Sequence, residues 1–153
     1  MFAYRRLKTT FGPRWTRKGV VAFHTAEKLL LMAHHLPGYK ALGKLVAAIA
    51  EVPRADFAER YQQGFMEALA RPATVGRHVN VLQHAQGYFK RQLEADERAE
   101  LSEVIADYRA ELVPLIVPVT LIRHHARRFG VDYLLGQTYL APHPKELMLR
   151  NHV

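Results

Sequence analysis

Between Arg71 and Leu93 the apolar residues Val75, Val79, Leu82, Ala85, Phe89 and Leu93 recur at spacings of three and four, as on one buried helix face. On the other side of the same helix, Arg77, Asn80, His84, Tyr88 and Arg91 fall within roughly 80° of arc. Solvated helix faces normally carry mixed charges. This one carries cations and hydrogen-bonding groups without a carboxylate, which suits contact with an anion.

The same periodicity predicts helices through nearly the whole chain. Thr16 caps a first helix running to about His35 and ended by Pro37-Gly38. A second covers about 39–50, and a third, near 56–70, opens with an acidic turn that suits the helix dipole. Arg71-Pro72 breaks the chain, Thr74 caps the fourth helix to about Leu93, and the charged stretch 96–112 predicts a peripheral fifth. The sixth starts at Pro114 and ends at Gly130, with a kink expected at Pro118, because an interior proline leaves a carbonyl without its usual partner. A short helix near 132–137, an extended APHP turn and a helical turn from Pro144 follow. No segment alternates with period two. The expected fold is all-α: a compact single-domain bundle of about six helices with a short C-terminal helical turn. It spans residues 15–153, preceded by a basic arm, residues 1–14.

Charge sharpens this picture. The chain carries +8, and +6 of it lies in residues 1–19, on Arg5, Arg6, Lys8, Arg14, Arg17 and Lys18 with no acid. Such an arm either reaches for phosphate backbones with salt-dependent affinity or is a solvated terminus. The absence of cysteine excludes disulfides, thiolate zinc sites and cysteine-held iron–sulfur clusters within this chain. The longest apolar run, Leu112 to Ile122, contains two prolines and falls far short of the roughly 20 residues a membrane span needs. It predicts a core helix. With no apolar stretch of a secretory signal at the N-terminus, a cytoplasmic protein without membrane partners is expected.

Two stripes and one histidine are the candidate sites. On the fourth helix, Arg77 and Arg91 suit phosphates, Asn80 and His84 suit hydrogen bonds, and Tyr88 suits stacking on a base. The alternative is a polar seam between helices. On the sixth, Thr120, Arg123, His124 and Arg127 cluster within about 100° and suit an oxyanion; equally, its arginines can pair with Glu103 or Asp107. The two stripes are expected to face each other across a partly solvated cleft, since neither helix contains a carboxylate. His24, one turn from Lys28, and His84 are the candidate catalytic residues for acid–base chemistry. His78, on the apolar side of its helix, reads as a core histidine. No HxxxH or HExxH occurs, so no metal site and no cofactor is expected. Ser102, the only serine, sits in a charged helix, and no GxSxG or Gly-rich phosphate loop is present.

These residues belong to motifs that resemble the YbgA-type family, a bacterial domain of unknown function. They are FHTAEK with the following MAHH at 23–35, YKALGKLVA at 39–47, RPATVGRHVNVLQHAQGYFK at 71–90, VPLIVPVTLIRHH at 113–125 and QTYLAPHPKELMLR at 137–150. The family pattern often has a basic residue or histidine where this chain has Glu27. Relatives stand alone or are fused behind an iron–sulfur thiouracil-desulfidase-type domain, and some accompany photolyase genes. The resemblance therefore implies a context of modified or damaged nucleobases. A chain without cysteine would serve that chemistry as an accessory to a desulfidase-type domain carried on a separate chain. The expected function is non-catalytic binding of nucleic acid or nucleotide. The alternatives are an enzyme acting on a small phosphorylated or nucleoside-like substrate, and a protein-interaction or dimerisation module with an apolar exposed patch.

Overall fold

The computed structural model describes residues 2–141, so the expected helical turn from Pro144 lies outside the described residues. All regular structure among them is helical: α1 (Phe2–Thr10), α2 (Arg17–Ala26), α3 (Lys28–His34), α4 (Leu36–Ala47), α5 (Arg54–Ala70), α6 (Val75–Gln86), α7 (Ala95–Arg109), α8 (Ile116–Phe129) and α9 (Asp132–Leu135). The chain is all-α, as its periodicity predicts. It divides between Pro72 and Ala73 into two compact units.

In the first unit, residues 2–10 of the segment read as a basic arm form α1. Ala3 and Leu7, one turn apart, are buried, and α1 packs on α2. The Thr9 and Thr10 hydroxyls donate to the carbonyls of Arg5 and Arg6. Thr16 caps α2 as expected, its Oγ1 accepting from the Gly19 N–H at 3.0 Å. The single helix expected from Thr16 to His35 is two helices, because Glu27 leaves helical geometry at φ −100° and ψ 2°. Its carboxylate is gripped there by Arg6 of α1. Pro37-Gly38 does not end a helix. His35 accepts from the Gly38 N–H through Nδ1 at 3.1 Å and caps α4, which places Pro37 in the first turn, where its missing N–H costs nothing.

The core of this unit is aromatic. Phe57, Tyr61 and Phe65, at i, i+4 and i+8 on α5, are fully buried and stack in sequence, with Phe11 and Phe23 against them. Each such ring contributes roughly 1.5–3 kcal/mol on burial. Arg54 covers the Trp15 ring at 3.9 Å and donates to the Trp15 carbonyl, pinning the link between α1 and α2. α4 lies close on α5: a Cβ on Gly64 would meet Leu42 Cδ2 at 3.0 Å.

In the second unit, Thr74 caps α6, accepting from the Arg77 N–H at 3.3 Å. The helix ends at Gln86, short of the expected Leu93, and passes into a 3₁₀ turn over Gly87–Phe89. Glycine disfavours continuation there by about 1 kcal/mol relative to alanine. Tyr88 therefore lies in the turn and Arg91 beyond it. α7, expected at the periphery, packs against both α6 and α8 through Leu101, Ile105 and Tyr108. The apolar run from Leu112 is not one core helix, because Leu112 is 74% exposed and α8 begins only at Ile116. Pro118 thus falls in the first turn of α8, and the Pro114 carbonyl is satisfied by the Val117 N–H at 3.1 Å. The expected kink has no cause. Gly130, at φ 63°, ends α8 as expected, with the Val131 N–H donating to the Ala126 carbonyl at 2.9 Å.

Candidate functional site

In the first unit a cleft of about 590 Å³ lies between α2 and α4. Val21, Thr25 and Lys28 follow one another at i, i+4 and i+7, while Tyr39, Lys40, Gly43, Lys44 and Ala47 form the facing stripe of α4. Val21, Val46 and Ala47 give it an apolar floor, and its charged lining is Lys28, Lys40 and Lys44 alone. Lys40 and Lys44 are exposed and one turn apart, a like-charge spacing that costs a helix roughly 0.2–0.5 kcal/mol. The polar residues of the cleft come from FHTAEK and YKALGK, two stretches separated in sequence that the fold brings face to face.

His24 is the buried member of this lining, only 3% exposed. Its Nδ1 lies 2.9 Å from the Tyr61 hydroxyl in the aromatic core. Nε2 is the outward nitrogen, 4.0 Å from where a Cβ on Gly43 would stand. Burial, then the Lys28 charge, pushes the imidazole down to about 4, so it is neutral at pH 7. Burial, then the Glu27 charge, pushes the Tyr61 hydroxyl up, so it remains protonated. The ring can thus accept at Nδ1 from Tyr61 and donate at Nε2, or the reverse. Behind it the Glu27 carboxylate, 1% exposed, accepts from Arg6 Nε at 2.6 Å and from its terminal nitrogen at 3.3 Å. The other histidines of this region serve structure: His34 Nδ1 meets the Arg71 carbonyl at 2.8 Å and His35 caps α4. Glu27 and His34 are held by different partners.

In the second unit the two predicted stripes lie on α6 with the turn after it and on α8. Arg77, Asn80, His84, Tyr88 and Arg91 are exposed on α6 and the turn after it; Thr120, His124 and Arg127 are exposed on α8, and Arg123 is half-buried. α6 packs on α8. Among the described residues, no hydrogen bond, ion pair or ring contact joins Asn80, His84, Tyr88 or Arg91 to Thr120, Arg123, His124 or Arg127. His84 meets the Tyr88 ring edge-on at 5.8 Å, and Tyr88 stacks on Tyr133 at 5.2 Å. The arginine that pairs with α7 is Arg128, to Glu97, and not Arg123 or Arg127 to Glu103 or Asp107.

His78 is a core histidine, 1% exposed, with Nδ1 2.6 Å from the Tyr139 hydroxyl and its ring stacked on the same tyrosine. His125, not anticipated from the sequence, is also buried, between Phe89 and Phe129. Neither of its ring nitrogens finds a hydrogen-bond partner among the described residues, and burial, then His124, lowers its pKa. No group of three or more His, Cys, Asp or Glu among the described residues is placed to hold a metal ion. No described helix is long and apolar enough to cross a membrane.

Fold and sites together define an all-helical protein with a lysine-lined cleft and a basic surface. Residues 28–144 match a family described as "Protein of unknown function (DUF1722)". The chain is 34% identical over 152 residues to the uncharacterized protein YbgA of Escherichia coli (strain K12), covering 99% of this chain and 90% of that protein. This chain belongs to that YbgA-type family of unknown function. No solved structure matches it.

Proposed function

We propose that this protein is a non-catalytic, cytoplasmic nucleic-acid-binding accessory domain whose phosphate contacts come chiefly from its first unit. One observation carries the reading: residues 2–50 hold nine Lys and Arg and a single acid, Glu27, which is buried against Arg6. Their exposed surface therefore presents no carboxylate. Arg5, Lys8, Arg14, Arg17 and Lys18 are all exposed on it. Uncompensated cations on a folded surface are the electrostatic footprint of a polyanion. In the second unit, Arg77, Asn80, His84 and Arg91 offer a smaller contact, with the Tyr88–Tyr133 stack as a flat surface for a base. The partner proposed to use the bound strand is an iron–sulfur desulfidase-type domain, since residues 1–153 supply no cysteine to hold a cluster.

The test is anisotropy of a labelled single-stranded oligonucleotide titrated with the full chain at several salt concentrations. Changing Arg5, Lys8, Arg14, Arg17 and Lys18 to glutamine should flatten the log–log salt dependence by up to about 3.5, at roughly 0.7 per phosphate for a single strand. An unchanged slope, or no binding by the parent chain, would sink the reading.

A further inference from the structure

The α2–α4 cleft differs from the surface around it in kind. Lys28 on one side and Lys40 and Lys44 on the other line it together with Val21, Val46 and Ala47, without a carboxylate in the lining. Ammoniums gathered on one cleft repel one another, and a multiply charged anion relieves that repulsion. At about 590 Å³ the cleft lies within the usual range for small-ligand sites. A nucleic-acid backbone needs only an open basic surface; a cleft with an apolar floor and a buried polar group is built for the end of a molecule. His24 is that group: it is almost wholly buried, fixed from behind by Tyr61, and turns Nε2 toward Gly43 at the cleft wall. Gly43 places no side chain beside Nε2, where a Cβ would stand 4.0 Å away. Tyr39 adds an aromatic ring to the same wall.

We propose that this cleft binds a phosphate monoester attached to a flat, largely apolar body, with Lys28, Lys40 and Lys44 on the phosphate, the body over Val21, Val46 and Ala47, and His24 Nε2 hydrogen-bonded to it. A dianionic monoester matches the three cations better than an internal phosphodiester, which carries one charge. The ligand is therefore either a free mononucleotide-like molecule or the phosphorylated end of a strand. The proposal deepens the nucleic-acid reading and rests on it in one respect, that this unit faces phosphate.

The experiment is calorimetric titration of the full chain with adenosine 5′-monophosphate, adenosine, ribose 5-phosphate and inorganic phosphate. Two oligonucleotides accompany them, alike except for a 5′-phosphate or a 5′-hydroxyl. The monophosphate should bind one per chain and at least tenfold tighter than any of its three fragments. Lys40→Gln with Lys44→Gln, both at exposed positions, should weaken it at least tenfold without shifting thermal unfolding. His24→Gln should weaken the monophosphate and adenosine alike while leaving inorganic phosphate unchanged. A tenfold preference for the 5′-phosphorylated strand identifies a strand end as the natural source, and equal strand affinities with tight monophosphate binding identify a free molecule. Monophosphate binding absent at millimolar concentration, no tighter than inorganic phosphate, or unaffected by the lysine substitutions would overturn the proposal. The 5′-hydroxyl strand then reports separately on the wider reading: if it binds, only the cleft assignment fails.

Discussion

Residues 2–50 and residues 94–111 cover small helical cores with opposite electrostatics. The first stretch carries nine cations and one buried acid; the second carries seven acids, with Arg98 and Arg109 among them. On α7 one of these acids is paired: the Glu97 carboxylate accepts from the Glu94 N–H and pairs with Arg128, and these contacts hold it below the usual carboxylate range, the backbone bond first. Within residues 2–50 the one acid is taken by the inward pair, Arg6 with Glu27, and Arg5, Arg14, Arg17 and Lys18 stand exposed outside it. The difference teaches that the distribution of acids and cations along the chain sets the sign of each helical surface.

The sharpest break of the comparison is at the inward pair. Arg6→Ala removes the guanidinium from a buried carboxylate and should cost up to about 3–5 kcal/mol in stability, with water moderating the loss because Arg6 is itself part-exposed. Trp15, the only tryptophan, lies in the first unit, so urea unfolding followed by its fluorescence reads the effect there. A change below 1 kcal/mol would mean that the pair does not hold α1 in place.

The next effect is the pH dependence that His24 contributes in the same unit. His24 titrates at about 4 in the fold against 6.5 when unfolded, so between those values the unfolded chain holds more protons. Stability should therefore be fully retained above pH 6.5 and fall as pH drops toward 4, by up to about 3 kcal/mol from this one residue at 1.36 kcal/mol per pKa unit. His24→Gln should flatten that part of the curve. Equal pH dependence in variant and parent, or an NMR titration of His24 near 6.5, would contradict its burial against Tyr61.

A smaller effect separates the units by function. Changing Arg77, Arg91, Arg123 and Arg127 to glutamine should alter the salt dependence of oligonucleotide binding by less than half as much as changing the five exposed cations between Arg5 and Lys18. The acids of α7, which packs against both α6 and α8, already temper the field there. An equal or larger change would move the phosphate contacts into the second unit. The smallest is a backbone effect on α7 itself. Glu111 closes that helix at φ 60°, and Glu111→Gly should stabilise the protein by roughly 1 kcal/mol in thermal unfolding, since glycine adopts this conformation without strain.

Helix type and the strongest local signals were legible in the sequence. Thr16 and Thr74 cap their helices and Gly130 ends α8 because these are short-range geometries set by one or two residues. Where a boundary depends on distant contacts, periodicity fails. The break at Glu27 is visible only once Arg6 arrives from α1, and Pro37 and Pro118 become initial rather than interior residues only once the true helix starts are known. Of the candidate site residues, His24 lies at the developed cleft, but the partners that give it meaning were missed. Tyr39, Lys40 and Lys44 sit at spacings of one and four within YKALGK, and the signal was there in the absence of acids from residues 28 to 50. Pairing that stripe with His24 required the packing of α2 on α4. His125 gave no signal, because an imidazole beside another in an arginine-rich helix reads as exposed.

The central claim, that the first unit faces phosphate, is tested most directly by lysine footprinting. The full chain is acetylated with and without a bound single-stranded oligonucleotide, and each lysine is quantified by mass spectrometry. Lys8, Lys18, Lys28, Lys40 and Lys44 lie in the first unit and Lys90 in the second. The account predicts that Lys8 and Lys18 lose most of their reactivity on binding while Lys90 changes least. Protection of Lys90 with Lys8 and Lys18 unchanged would contradict it.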